Sequence, residues 1–318
     1  MLRQSTLLLL ATLLVFCGAQ ACDDETAPSS PELPPIEVSD ADSLDATDQT
    51  PDDDGHGEVD LVTPETTDAP DTSDQSETET TQPLTCVPNR DGVITRTEMP
   101  MKVGDRGTFL TALDLTWDTT GTVNGQGQRF WDLSGTLPGD RSTLFELRPV
   151  DIYWFASDFP SATYVARLSE ASELLGVFEL TDETLLLLGV ASPERTLTYT
   201  RVTYSPPVRI LQFPLEEGST WTSAATISGT FNGIIVYYSE TYISKVDAKG
   251  VLDTPYGTFQ QVLRVSTDLT KTVGLMTTKT RTFAFVTECF GTVASVASKS
   301  SPPAGEFTAV EELRRLSL

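Results

Sequence analysis

The chain has 318 residues, with 46 acidic and 21 basic side chains, a formal charge of −25, four cysteines and one histidine. Neither the acidic balance nor any local run supplies the basic stripe that nucleic acid needs, so no nucleic-acid partner is expected. The single imidazole, His56, leaves no material for a histidine zinc site or an HExxH protease, and no metal or cofactor is expected.

Residues 1–21 read as a secretory signal: Arg3 in a short basic region, an apolar run from Leu7 to Phe16, then small residues before a cut. The run is too short to cross a bilayer as a helix. Two cuts compete at the bond before Cys22. Ala19-Gln20-Ala21 suits a general signal peptidase, whereas Ala19-Gln20-Ala21-Cys22 resembles a bacterial lipobox, with Ala19 where Leu is usual. Cys17, behind bulky Phe16, fits a lipobox less well. Cysteine arithmetic favours lipid on Cys22: Cys17 leaves with the signal, Cys86 and Cys289 can pair, and Cys22 would otherwise be an odd thiol in an exported protein. Several acyl chains on one cysteine would hold the chain stably in a membrane. The expected location is the bacterial cell envelope, at the outer membrane or cell surface. The periplasmic face of the inner membrane is a second place, because Asp23 resembles a retention signal, and a secreted soluble protein is the alternative.

From Asp23 to Thr85 there are many Asp and Glu, no Lys or Arg, and few large apolar residues. Such a segment cannot bury enough surface to offset its ordering entropy, so residues 22–85 read as a disordered acidic tether. At full stretch it would reach about 200 Å, and as a flexible coil it would average roughly 45 Å. The run Asp52-Asp53-Asp54-Gly55-His56 fails as a calcium loop, since Thr50 and Leu61 stand where oxygen ligands are required. It reads as a solvated charge run.

Residues 86–318 are enough for one large β domain or two small ones. Strand signals dominate. Phe259, Gln261, Leu263, Val265, Thr267 and Leu269 alternate with polar residues. Asn232-Gly233 between two β-rich runs is a strong hairpin signal. Lys279, Arg281, Phe283 and Phe285 share one face of a late strand. Helices are few, with Arg167–Leu175 and Glu306–Leu316 as the expected ones. The run Asp151-Ile152-Tyr153-Trp154-Phe155 reads as a strand buried on both faces rather than a glycan or lipid platform, and Tyr237, Tyr238 and Tyr242 invite the same weighing. Cys86 and Cys289 are expected to pair, closing a loop worth about 5 kcal/mol in the chain-entropy picture.

Two stretches echo each other: Met99-Pro100-Met101-Lys102-Val103-Gly104 and Phe213-Pro214-Leu215-Glu216-Glu217-Gly218. Asp132–Pro138 with Asp247–Leu252, and Leu147-Arg148 with Leu263-Arg264, follow at similar offsets. The fold class expected is therefore mainly β, with antiparallel sheets in two similar curved half-barrel or sandwich-like halves, 86–205 and 206–318. Chance recurrence of Pro-Gly turns is the competing explanation.

The second half carries Phe213-Pro214-Leu215, Gly218 and Trp221, then Asp247, Gly250, Leu252, Pro255, Gly257-Thr258-Phe259 and Val262-Leu263-Arg264-Val265. This pattern resembles an uncharacterised β-rich domain of secreted Gram-negative bacterial proteins, and Trp131-Asp132-Leu133-Ser134-Gly135 resembles its N-terminal part. The resemblance implies export and a β fold and transfers no catalytic residues. Ala248-Lys249 departs from its usual Gly-Tyr. On physical grounds Pro255-Tyr256-Gly257 suits a turn, the following strand buries Phe259, Leu263 and Val265, and Arg264 faces the other side toward a carboxylate on a neighbouring strand.

There is no SxxK, G-x-S-x-G or P-loop. A carboxylate-pair hydrolase survives because two acids can come from anywhere in a sequence. The reading adopted is a lipid-anchored, non-enzymatic binding or surface-interaction module for an unknown protein, glycan or lipid. The alternative is a periplasmic carrier of acyl chains or lipoproteins, which an apolar cavity larger than a side-chain core requires would favour.

Overall fold

A computed structural model describes residues 86–318 apart from Asn124 and Gln126. The expectations placed on residues 1–85, including the signal, Cys22 and the tether, lie outside the described residues. Sixteen strands follow in chain order: β1 (Val93–Ile94), β2 (Arg106–Thr116), β3 (Thr122–Val123), β4 (Arg129–Asp132), β5 (Arg141–Glu146), β6 (Tyr164–Ser169), β7 (Ser172–Leu180) and β8 (Thr184–Ala191). Then come β9 (Arg201–Gln212), β10 (Leu215–Glu216), β11 (Thr220–Phe231), β12 (Ile234–Thr254), β13 (Gly257–Val273), β14 (Met276–Thr287), β15 (Gly291–Ser298) and β16 (Ala309–Ser317).

The main sheet runs β5-β2-β16-β15-β14-β13-β12-β11-β9-β8-β7-β6. Leaving out β3, β4 and β10, which lie off this path, each pair of neighbours along it is consecutive in chain order except β16 and β2, which join the C-terminal strand to the first long one. The sheet curls until its two edges meet. Arg148 and Val165 exchange backbone hydrogen bonds of 2.8 and 2.9 Å beside β5 and β6, so an up-and-down antiparallel barrel is nearly closed. A small second sheet pairs β1 with β10.

Alternation explains which side each residue takes. On β14, Ala284 and Val286 join the interior core, while Phe283 and Phe285 join a second core on the outer face. That outer core is covered by the connection from β2 to β5, which carries β3, β4 and buried Trp131. A third core, around Phe155, Phe159 and Val177, lies under the connection from β5 to β6. Strands buried on both faces read as continuous apolar runs, which is why β7 and β8 lack a clean period.

Several expectations are corrected. Arg167–Leu175 is the β6–β7 hairpin rather than a helix, and Glu306–Leu316 is mostly β16, because pairing with β15 and β2 uses its alternation of sides. The Asp151–Phe155 run is a turn leading into a 3₁₀ helix at Ala156–Asp158, with Phe155 buried under it. Phe259 does not share a face with Leu263 and Val265: Gln261 adopts φ 57° in a bulge, and Phe259 joins Val262 in the outer core. The Asn232-Gly233 hairpin forms as read, with both turn residues at positive φ. Tyr237 is exposed, whereas Tyr238 and Tyr242 point into the barrel core.

The first of the three echoes occupies matching places. Gly104 and Gly218, at φ 95° and 97°, donate to the carbonyls of Leu147 and Val246 at 2.7 and 2.8 Å, and those residues donate back to Asp105 and Ser219. Each glycine leads into a barrel strand, β2 and β11. The other two echoes fall at unlike places: Asp132 ends β4 on the outside, and Leu147-Arg148 sits at the barrel seam. Residues 205 and 206 both lie within β9, and residues 213–219 connect β9 to β11.

Gly250 shows how tightly the outer layer is laid down. β4 pairs in parallel with β12 there, and a Cβ on Gly250 would sit 2.1 Å from the Arg129 carbonyl oxygen and 2.9 Å from the Trp131 ring. Gly250→Val should lower unfolding stability by about 1–3 kcal/mol through overpacking against backbone, read as a fall in the thermal midpoint. An unchanged midpoint would mean that β4 is not bound to β12.

Candidate functional site

The nearly closed barrel leaves a partly open cavity of about 550 Å³ at its seam, beside the start of β2, the ends of β5 and β16 and the start of β6. Its wall is mostly apolar, with Phe109, Phe145, Tyr164, Leu168, Phe178 and Leu316 among the lining side chains. The seam strands are short, six residues each, and β5 and β6 hardly touch. Side chains that a full ladder would press together are therefore held apart. The volume falls within the range of small-molecule pockets and far above the void one water occupies.

One buried ion pair stands at this wall. Arg314 Nη2 donates to Glu312 Oε1 at 2.6 Å and to the Leu168 carbonyl at 3.1 Å, and Ser169 donates to Glu312 Oε2 at 2.7 Å. The guanidinium lies over the Phe145 ring, 3.9 Å from its centroid. Arg314 Nε is buried without an acceptor. Burial raises the Tyr164 phenol well above its usual range, so it stays protonated, 3.9 Å from the Met101 sulfur. At the rim, Asp105, Arg106, Glu146 and Arg167 mix both signs.

A second polar group sits deeper along the barrel. Glu240 on β12 faces Lys271 on β13, directly across the ladder. Tyr242 donates to Glu240 at 2.5 Å, and the Lys271 ammonium lies 4.0 Å from the centre of the Tyr238 ring. Burial pushes the Glu240 carboxyl up from 4.5 to about 7, against the opposing pull of Tyr242, Lys271 and Tyr204.

Of the residues singled out in sequence, Cys86 and Cys289 form a disulfide, fixing the start of the described chain to the β14–β15 turn. Arg264 faces outward, opposite to Leu263, and makes a bidentate pair with Asp247 on neighbouring β12, both bonds 2.9 Å. Glu306 completes the clamp at 2.7 and 3.0 Å, and Trp131 and Phe283 flank the cation. Burial would raise the Glu306 carboxyl, but hydrogen bonds from Arg264 and Thr119 and the nearby cations outweigh it and leave it below its ordinary value. Pro255 and Tyr256 make the β12–β13 turn ahead of Gly257. Arg264, Asp247, Glu306 and Trp131 belong to the outer layer, whereas Tyr256 and Cys289 border the cavity.

Sequence reasoning missed Glu312 and Arg314. The signal was present in Glu311-Glu312-Leu313-Arg314-Arg315, because a strand there must turn charged residues to its inner side. Glu240 and Lys271 gave no local signal, being far apart in the chain. Among the described residues no cluster of three His, Cys, Asp or Glu side chains is placed to hold a metal. No family model matches this chain, and neither does any curated protein or solved structure.

Because the folded carboxyl of Glu240 keeps its proton to about pH 7 and the unfolded one releases it near 4.5, the stability it carries is full below 4.5 and is lost as pH rises through about 7. The difference is on the order of 3 kcal/mol. Glu240→Gln should flatten this dependence and be the more stable form at pH 8 in urea titrations. Parallel pH profiles for the two proteins would show that Glu240 ionises normally.

Proposed function

We propose that the domain is a non-enzymatic binding module that takes an apolar small molecule, with an acyl chain as the best fit, into the seam cavity. The observation that supports it is the cavity of about 550 Å³, lined chiefly by apolar side chains. A core needs no such space, since interiors are ordinarily packed to crystal density. A long, flexible hydrocarbon suits a wall of aromatic and aliphatic groups with a single buried ion pair. The carrier reading thus gains over recognition of a protein or glycan at the surface.

Two sequence features support an exported setting for this module. One is the lipobox-like Ala19-Gln20-Ala21-Cys22 with its acidic sequel, which would tether the barrel in the cell envelope. The other is the resemblance of residues 213–265 to a domain of secreted Gram-negative proteins. The Cys86–Cys289 disulfide suits an oxidising compartment. The hydrolase reading draws less support: the acids Asp247 and Glu306 converge on Arg264 and are held by it.

A fluorescent polyene fatty acid should bind with a dissociation constant on the order of 1 µM and be displaced by unlabelled acyl compounds. Ala166, a small residue in the cavity wall, allows the matching control. Ala166→Trp should weaken binding by about tenfold or more while keeping a cooperative thermal transition. No binding by the native chain, or equal binding by the variant, would defeat the proposal.

A further inference from the structure

Consecutive hairpins of an up-and-down barrel alternate between its two ends. Tyr256 and Cys289–Gly291, from the β12–β13 and β14–β15 turns, border the cavity. The β11–β12 turn at Asn232-Gly233 and the β13–β14 turn at Gly274-Leu275 therefore share the opposite end. The β8–β9 connection joins them there: Gly233 N–H donates to the Tyr199 carbonyl at 3.0 Å, with Leu197 alongside.

This end is studded with apolar side chains that touch little. Leu275 is 103% exposed, Leu197 97%, Ile235 87%, Tyr237 76% and Met276 72%. Ile234 and Val273 add to them. Single exposed apolar residues are ordinary, but large ones on neighbouring hairpins mark a contact surface. The charge pattern says what kind. The two tips themselves, residues 232–237 and 273–278, carry no charged residue, and of the nearby cations Lys271 is buried opposite Glu240 and Arg281 is paired with Asp268. Lys279 is exposed behind the tips, and Arg195 is exposed beside its neighbour Glu194. The apolar groups sit on protruding turns rather than a flat face, a shape that gives a protein partner little continuous area but lets each tip sink separately among acyl chains. Uncharged apolar tips with Lys279 behind them match the boundary of a bilayer, where a lysine can meet an anionic headgroup. Exposed positions along β11 and β12 mix Thr222, Ser228, Ser239 and Lys245 with Ile235, Tyr237 and Ile243, so the outer face there is not the continuous apolar band of a spanning barrel.

We infer that this end of the barrel is a lipid-contacting surface, with the tips at Leu197, Ile235 and Leu275 entering the interfacial layer of an anionic bilayer. The inference is independent of whether the cavity holds an acyl chain.

The test uses the full chain carrying Cys22→Ser, so that lipid on that residue does not supply the attachment. Vesicles of three parts phosphatidylcholine to one part phosphatidylglycerol should retain it in flotation, and Ile235→Ser with Leu275→Ser should reduce retention about tenfold or more. Both substitutions fall on exposed side chains, so folding should survive, which circular dichroism checks. Leu275→Trp then reports position: its added fluorescence should shift to the blue and be quenched by lipids brominated along the acyl chain. Flotation without quenching of that tryptophan, or retention unchanged in the double serine variant, would overturn the inference. So would concentration-dependent dimerisation by light scattering that the serine variant abolishes, because the tips would then meet a second copy.

Discussion

A meander of strands that bond only to their chain neighbours has two free edges, and this barrel depends on how those edges meet. Here β16 returns to β2, and β5 and β6 meet through one mutual pair of hydrogen bonds between Arg148 and Val165. An open edge would be a template for association, so closure protects the sheet. Yet the closure is thin on one side and long on the other, where β12 and β13 run 21 and 17 residues. The thin side is where the interior side chains do not meet and the cavity remains. Structure and proposed binding thus share one cause.

The outside of the barrel is stabilised differently. Two long connections, from β2 to β5 and from β5 to β6, lie over apolar faces that would otherwise be exposed. Laying β4 against β12 demands Gly250, and turning Arg264 outward under Trp131 demands two carboxylates to balance a buried cation. Burying a guanidinium is costly unless its hydrogen bonds are made, and here Asp247, Glu306 and the Thr119 carbonyl make them. The most motif-like residues of the second half are in this way explained by architecture.

The sequence made strand content, the Asn232-Gly233 hairpin, the disulfide and the Arg264–carboxylate pair legible, because each rests on local period, turn chemistry or cysteine count. It hid the barrel because closure joins residues far apart: β2 with β16, and Arg148 with Val165. The two segments read as helices show the same limit. Arg167–Leu175 and Glu306–Leu316 contain residues of good helix propensity, and tertiary pairing overrode it. Phe259 was misplaced because one bulge at Gln261 reverses every side chain beyond it. The cavity could not be read at all, since empty space is a property of packing and leaves no residue pattern. Its charged wall was nearer to view, in the Glu312 and Arg314 of a strand that had been read as a helix.

The most direct measurement is native mass spectrometry of the chain isolated from its own host without denaturation, followed by lipid analysis after unfolding. The account predicts an added mass of one apolar, acyl-bearing molecule that is held without a covalent bond and released when the barrel unfolds. A barrel that leaves its host with no bound molecule, and whose interior holds ordered water at the seam, would contradict it.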